Sequence, residues 1–144
     1  MTDASRAVYT LRNSALKRNF FKLIWHSRPD TPFGLKHERT YAKRSPNGWL
    51  VRHMFVAGKK YTRSAIIYLS DSEGAWNPEP GEVKWERVAI ESNPNFALIT
   101  SRMEVPGGWL VSELLSTISS APEAATADVS LAYVDDENHA WDIW

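Results

Sequence analysis

At 144 residues the chain suits one domain, or two small units sharing a core, and is long enough to bury that core without cross-links. It has no cysteine, which excludes disulfides, thiolate nucleophiles and cysteine-bound zinc. Lys plus Arg and Asp plus Glu both number 17, a formal net charge of zero, and no stretch approaches the ~20 apolar residues of a membrane span.

Residues 1–38 read as a basic N-terminal extension. The opening "MTDASRAVYTLRNS" lacks an apolar run of signal-peptide length, so a cytoplasmic protein, bacterial or phage, is expected. Within the extension, Ser14 can cap a helix over residues 14–27. Leu16, Phe20, Leu23 and Ile24 would share its apolar stripe, with Lys17, Arg18 and Lys22 elsewhere, and Pro29 and Pro32 beyond its end. The alternative is a strand through "FFKLIWH", whose aromatic run suits either state.

Residues 39–80 read as an antiparallel β unit. "RTYAKRS" leads into Pro46-Asn47-Gly48, Trp49 and Val51 then alternate with Leu50 and Arg52, and "SAIIYL" supplies a third strand. "DSEGAW" is a polar turn ending on Trp76, and "NPEPGE" (77–82) is a linker. Residues 81–144 repeat the scheme. "VKWERVAIES" reads as a strand with Val83, Trp85 and Arg87 on one face. "LITSRMEV" then leads into Pro106-Gly107-Gly108 and Trp109, and "VSLAYV" and "DDENHAW" follow.

The parallel is close. "PNGWLV" (46–51) and "PGGWLV" (106–111) are 60 residues apart, and "AIIYLSDSEGAW" (65–76) and "SLAYVDDENHAW" (130–141) are 65 apart. Tyr68 falls on Tyr133, Asp71 on Asp136 and Trp76 on Trp141. A duplicated unit with an inserted surface loop at "APEAATAD" (121–128) accounts for both offsets. The expected fold is α+β and mainly β: two pseudo-equivalent antiparallel repeats in one compact domain, with a helical or irregular N-terminal extension. Asn47-Gly48 and Gly107-Gly108 read as central pairs of two-residue hairpin turns, which predicts positive φ at Gly48 and Gly108. Trp49, Trp76, Trp109 and Trp141 are expected to be mostly buried anchors.

Zero net charge hides a division. Residues 1–63 carry fourteen Lys or Arg against three carboxylates, and residues 64–144 carry three against fourteen, a formal +11 and −11. Such asymmetry points to a charged partner. Lys17, Arg18, Lys22, Lys43, Arg44, Arg52, Lys59, Lys60 and Arg63 are the candidate partner-binding residues, with Trp25, Tyr41 and Tyr61 near enough in sequence to stack on bases. The halves could instead satisfy one another, or self-associate head to tail.

Catalytic signals are weak. His26, His37, His53 and His139 lack metal-ligand spacing, so no metal or cofactor is expected. Asp135, Asp136, Glu137 and His139 crowd one turn, read as a solvated turn. "SALK" (14–17) matches S-x-x-K without its companion motifs. The sequence therefore suggests a non-enzymatic interaction or inhibitor factor with a protein partner. Nucleic-acid binding by the basic half is the alternative.

Overall fold

The computed structural model describes residues 20–27, 36–57, 61–117 and 127–143. They form eight strands: β1 (Lys22–His26), β2 (Lys36–Ser45), β3 (Gly48–Ala57), β4 (Tyr61–Ser70), β5 (Glu86–Ser92), β6 (Phe96–Val105), β7 (Gly108–Thr117) and β8 (Ala127–Asp135). These make two four-stranded antiparallel sheets, an N-terminal sheet ordered β1-β2-β3-β4 and a C-terminal sheet ordered β5-β6-β7-β8. The fold is mainly β, and the described residues contain no helix, so none long and apolar enough to cross a membrane.

The helix reading of residues 14–27 fails where it can be compared. Residues 22–26 form β1, paired with β2, with Ile24 fully buried between exposed Lys22 and His26. An aromatic and β-branched run offered a free strand edge gains a ladder of backbone bonds, whereas a three-turn helix is marginal on its own. Residues 14–19, with Ser14, Leu16, Lys17 and Arg18, lie outside the described residues.

The first unit therefore reaches back into the stretch taken as an extension. β1 stands to β2 as β5 stands to β6. Each ladder shifts register at one place, between Leu23 and Trp25 opposite Tyr41 and Thr40, and between Arg87 and Ala89 opposite Ser101 and Thr100. The opposing residues are again 60 apart. The segments 39–76 and 99–141 follow the same strand order and register, with Ser45 facing Gly48 and Val105 facing Gly108. "VKWERVAIES" becomes strand only from Glu86. Val83 and Trp85 precede it and pack on the core, while Arg87 is exposed. Asp128 and Ala127, placed in the inserted loop by sequence, begin β8.

The hairpin turns are centred one residue earlier than the dipeptides suggest. Positive φ falls on Asn47 (59°) and Gly107 (80°), not on Gly48 and Gly108. Proline fixes its own φ near −65°, as the first central position requires, so Pro-Asn and Pro-Gly are the central pairs. Gly48 and Gly108 are required for a different reason. A Cβ there would stand 2.1 Å from the Leu69 carbonyl oxygen and 2.0 Å from that of Val134, because β4 and β8 cross directly over these positions.

Paired residues assign two faces to each sheet. The indole face of the N-terminal sheet carries Ala42, Trp49, Val51, His53, Phe55 and Leu69. Its opposite, the tyrosine face, carries Tyr41, Lys43, Leu50, Arg52, Met54, Ile66 and Tyr68. In the C-terminal sheet the indole face holds Arg102, Glu104, Trp109, Val111, Glu113 and Val134, and the tyrosine face Met103, Val105, Leu110, Ser112, Leu114 and Tyr133. The core is asymmetric. The indole face of the N-terminal sheet (Ala42, Val51, Leu69) packs with the tyrosine face of the C-terminal sheet (Met103, Val105, Leu110), joined by Ile24 and Trp76. Phe55 continues the contact onto Leu114 and Ala127. The sheets approach most closely along β4 and β8. They are thus stacked with the same face forward, rather than facing each other.

The two glycine positions should respond differently. Gly107→Asn, which copies Asn47, should leave the melting temperature nearly unchanged. Gly108→Ala should cost roughly 3 kcal/mol, since the new methyl meets rigid backbone. Thermal denaturation of the two variants measures this, and a Gly108→Ala variant as stable as the wild type would overturn the close approach of backbone to Gly108.

Candidate functional site

Two equivalent clusters brace the ends of the repeats. Asp71 follows β4 and lies under Trp49. Its Oδ2 accepts the Trp49 indole N–H (2.9 Å) and the Trp76 backbone N–H (2.9 Å), and Oδ1 accepts the Ala75 N–H (2.8 Å). Asp136 does the same with Trp109 Nε1 (2.9 Å), Trp141 N (2.9 Å) and Ala140 N (3.1 Å). Each carboxylate thereby folds its own turn back, and the two tryptophans of each repeat meet edge to face at 5.4 Å and 6.1 Å. Gly74 (φ 67°) and His139 (φ 49°) occupy the same left-handed position in that turn. Trp76 and Trp109 are buried, and Trp49 and Trp141 half-buried.

This corrects the reading of "DDENHAW" as merely a solvated turn: Asp136 is an organising acceptor and only half exposed, and Asp71 is buried. The signal was present as an aspartate five residues before a tryptophan in both copies. Burial pushes the Asp71 carboxyl up, but the bonds from Trp49, Trp76 and Ala75 and the nearby Arg44 charge outweigh it and hold it below its ordinary value. The Trp109 indole bond, then those from Ala140 and Trp141, lower Asp136 against a smaller burial effect, with help from His139.

Each cluster also takes a cation. Arg44 lies over the Trp49 ring (5.0 Å) and donates to the Asp71 carbonyl (3.1 Å). Glu104 stands at the equivalent position of the second copy, so the cation comes from the next row. Arg102 lies 3.9 Å over Trp109 and 4.9 Å from Trp141, donates to the Trp141 carbonyl, and pairs with Glu86 at 2.7 Å.

A triad-like chain crosses the N-terminal sheet. Trp85 Nε1 donates to Thr40 Oγ1 (2.8 Å), Thr40 donates to His53 Nδ1 (2.8 Å), and His53 Nε2 donates to Glu38 (3.0 Å). Hydroxyl, imidazole and carboxylate are aligned as in nucleophilic catalysis. Thr40 is 0% and His53 1% exposed, under the rings of Trp25 and Trp85. A substrate has no access to that hydroxyl. The chain instead satisfies buried polar groups and ties the inter-repeat segment to the sheet.

The basic candidates separate. Lys17, Arg18, Lys59 and Lys60 lie outside the described residues, as does the Tyr61 side chain. Lys22 pairs with Glu79 at 2.7 Å, Arg44 belongs to the Trp49 cluster, and Arg63 is exposed at the β4 edge on the indole face. Lys43 and Arg52 share the tyrosine face of the N-terminal sheet, joined by Arg39, which the sequence reading passed over. Arg52 sits 4.1 Å over the ring of Phe21.

Among the described residues, stacking in one direction leaves two faces outside the core, with Phe21 over Arg52 on the first. On the N-terminal sheet, Leu50, Arg52 and Met54 are half-buried and Ile66 is 54% exposed, where their counterparts Leu110, Ser112 and Leu114 are buried. On the C-terminal sheet, Glu113 is exposed, Leu115 37% and Val134 38% exposed, where His53, Phe55 and Leu69 are buried. The open tyrosine face holds Arg39, Lys43 and Arg52 and no carboxylate among its paired strand residues. The open indole face holds Glu86, Glu91, Glu104, Glu113 and Asp128 against Arg102. A depression of about 230 Å³ lined by Glu82, Val83, Lys84, Glu86, Arg102, Glu104 and Trp109 lies on that second face, small beside the ~300–1,000 Å³ of small-molecule sites. Among the described residues, no three His, Asp or Glu side chains group as a metal site. Comparison with protein-family models, curated proteins and solved structures finds no match.

The Asp71 cluster sets an acid limit. Its folded pKa lies below the ~3.9 of an unfolded aspartate, so its contribution is present above about pH 4 and is lost as pH falls through the folded value. Asp71→Ala should cost roughly 3 kcal/mol at neutral pH by stranding three donors. Asp71→Asn should flatten the decline of melting temperature below about pH 4 relative to the wild type. Parallel acid melting curves for both proteins would show this.

Proposed function

We propose that this protein is a non-enzymatic interaction module that binds another protein through the open tyrosine face of its N-terminal sheet. The observation that carries the reading is the composition of that face. Arg39, Lys43 and Arg52 lie among Tyr41, Leu50, Met54, Ile66 and Tyr68 on three adjacent strands, with no carboxylate between them. Cations framing exposed aliphatic and aromatic area suit an acidic protein surface with an apolar centre. The buried state of the Thr40–His53–Glu38 chain favours binding over catalysis at that place.

Nucleic acid is the second reading, supported by Tyr41 and Tyr68 beside Lys43 and Arg52 on the same face. Leu50, Met54 and Ile66 favour protein, since phosphates make no use of aliphatic area. The test is a nuclease-treated pull-down with the intact chain, beside titration of a labelled oligonucleotide at physiological ionic strength. Wild type should retain a protein that both Ile66→Ser and the double variant Lys43→Glu/Arg52→Glu lose, with melting temperatures within a few degrees. Tight, salt-sensitive oligonucleotide binding lost in the double variant would overturn the protein reading in favour of nucleic acid.

A further inference from the structure

We infer that the occupant of the open tyrosine face is the open indole face of a second copy, so that the chain assembles head to tail. The inference rests on the reading of the tyrosine face as a protein-binding surface and names what it binds.

The first ground is that the chain already makes this contact once. Its core is an indole face laid on a tyrosine face. The surfaces left over are one tyrosine face and one indole face, on opposite sides of a two-layer stack. They cannot meet within one chain, but they can meet between chains and continue the same order of layers.

Charge gives the second ground. The tyrosine face presents Arg39, Lys43 and Arg52. The indole face presents Glu91, Glu104, Glu113 and Asp128, besides Glu86 paired to Arg102. Opposed, they attract. Two tyrosine faces would set cation on cation, and two indole faces carboxylate on carboxylate, so a two-fold dimer through either face is disfavoured.

The apolar parts also correspond. Leu50, Met54, Ile66 and Tyr68 on one face would cover Val111, Leu115 and Val134 on the other. Ten-residue strands at sheet spacing give a footprint of roughly 600 Å², near the scale of one side of a standard interface. A contact between unlike faces is heterologous: it closes into a ring or continues as a filament.

Sedimentation velocity and light scattering of the full chain over a wide concentration range test this. At low salt the mass should rise with concentration above the 16.4 kDa protomer. At about 1 M salt, where the screening length is about 3 Å, association should weaken at least tenfold. Lys43→Glu/Arg52→Glu and Glu113→Lys/Asp128→Lys should each abolish self-association. Mixed together they should assemble again beyond a dimer, because the two wild-type faces meet at one junction and the two charge-reversed faces at the next. A single chain carrying all four changes should self-associate again, which also shows that the separate losses are not failures of folding.

A wild-type chain monomeric at every concentration would overturn the inference. So would assembly indifferent to both double variants, or a mixture that stays monomeric. A monomeric wild type that still loses a captured protein on Lys43→Glu/Arg52→Glu would leave the binding face standing and remove only self-recognition. A wild type whose assembly and captured protein both survive that substitution would remove both.

Discussion

The fold depends on a carboxylate that collects three N–H groups at the end of each repeat. Asp71 and Asp136 bond an indole from the strand behind them and two backbone amides from the turn ahead. Without that acceptor the amides of the turn would have no partner and the second tryptophan no fixed position against the first. The buried copy, at Asp71, sits where the sheets meet, and its Trp76 belongs to the shared core. The bracing of one repeat is therefore also part of the packing between repeats. The close crossing of β4 and β8 over Gly48 and Gly108 belongs to the same corner, since Asp71 and Asp136 bond back to the carbonyls of Asn47 and Gly107.

Stacking two like units with the same face forward has a consequence that face-to-face packing would not. Each unit has two sides, and a stack of two leaves one side of each kind uncovered. A symmetric sandwich could bury both indole faces and leave two similar exteriors. Here the exteriors differ, and the copies have diverged accordingly. Where the first has Lys43 and Arg52 outside, the second has Met103 and Ser112 inside. Where the second has Glu113 exposed, the first has His53 buried, and Arg102, at the place equivalent to Ala42, is buried and paired with Glu86. Burial selects against unpaired charge at one member of each pair and permits it at the other.

Charge segregation along the chain thus becomes segregation between opposite surfaces. The pairs Arg44–Asp71 and Arg102–Glu86 each remain within one repeat, and the packed faces are apolar. Lys22–Glu79 and Arg44–Asp71 each join a cation of the basic half to a carboxylate of the acidic half, while among the described residues Arg39, Lys43 and Arg52 lie on one open face and Glu91, Glu113 and Asp128 on the other.

The sequence by itself determined the recurrence of the two segments, the antiparallel strands, the places of the two hairpins and the four anchoring tryptophans, because these follow from local backbone chemistry and period-two alternation, though it centred each turn one residue late. It also contained the aspartates, five residues before Trp76 and Trp141, although only the bent turn shows that their acceptors point at Trp49 and Trp109. Whether residues 22–26 became helix or strand was decided by the free edge of β2, a partner in space and not in the local pattern. Which face of each sheet is interior was likewise a tertiary decision. Alternation divides Trp49 from Leu50 and Trp109 from Leu110, but both sides of each strand carry apolar residues. Only the stacking of one sheet on the other buried Val51 and Leu110 while leaving Arg52 half-buried and Glu113 exposed.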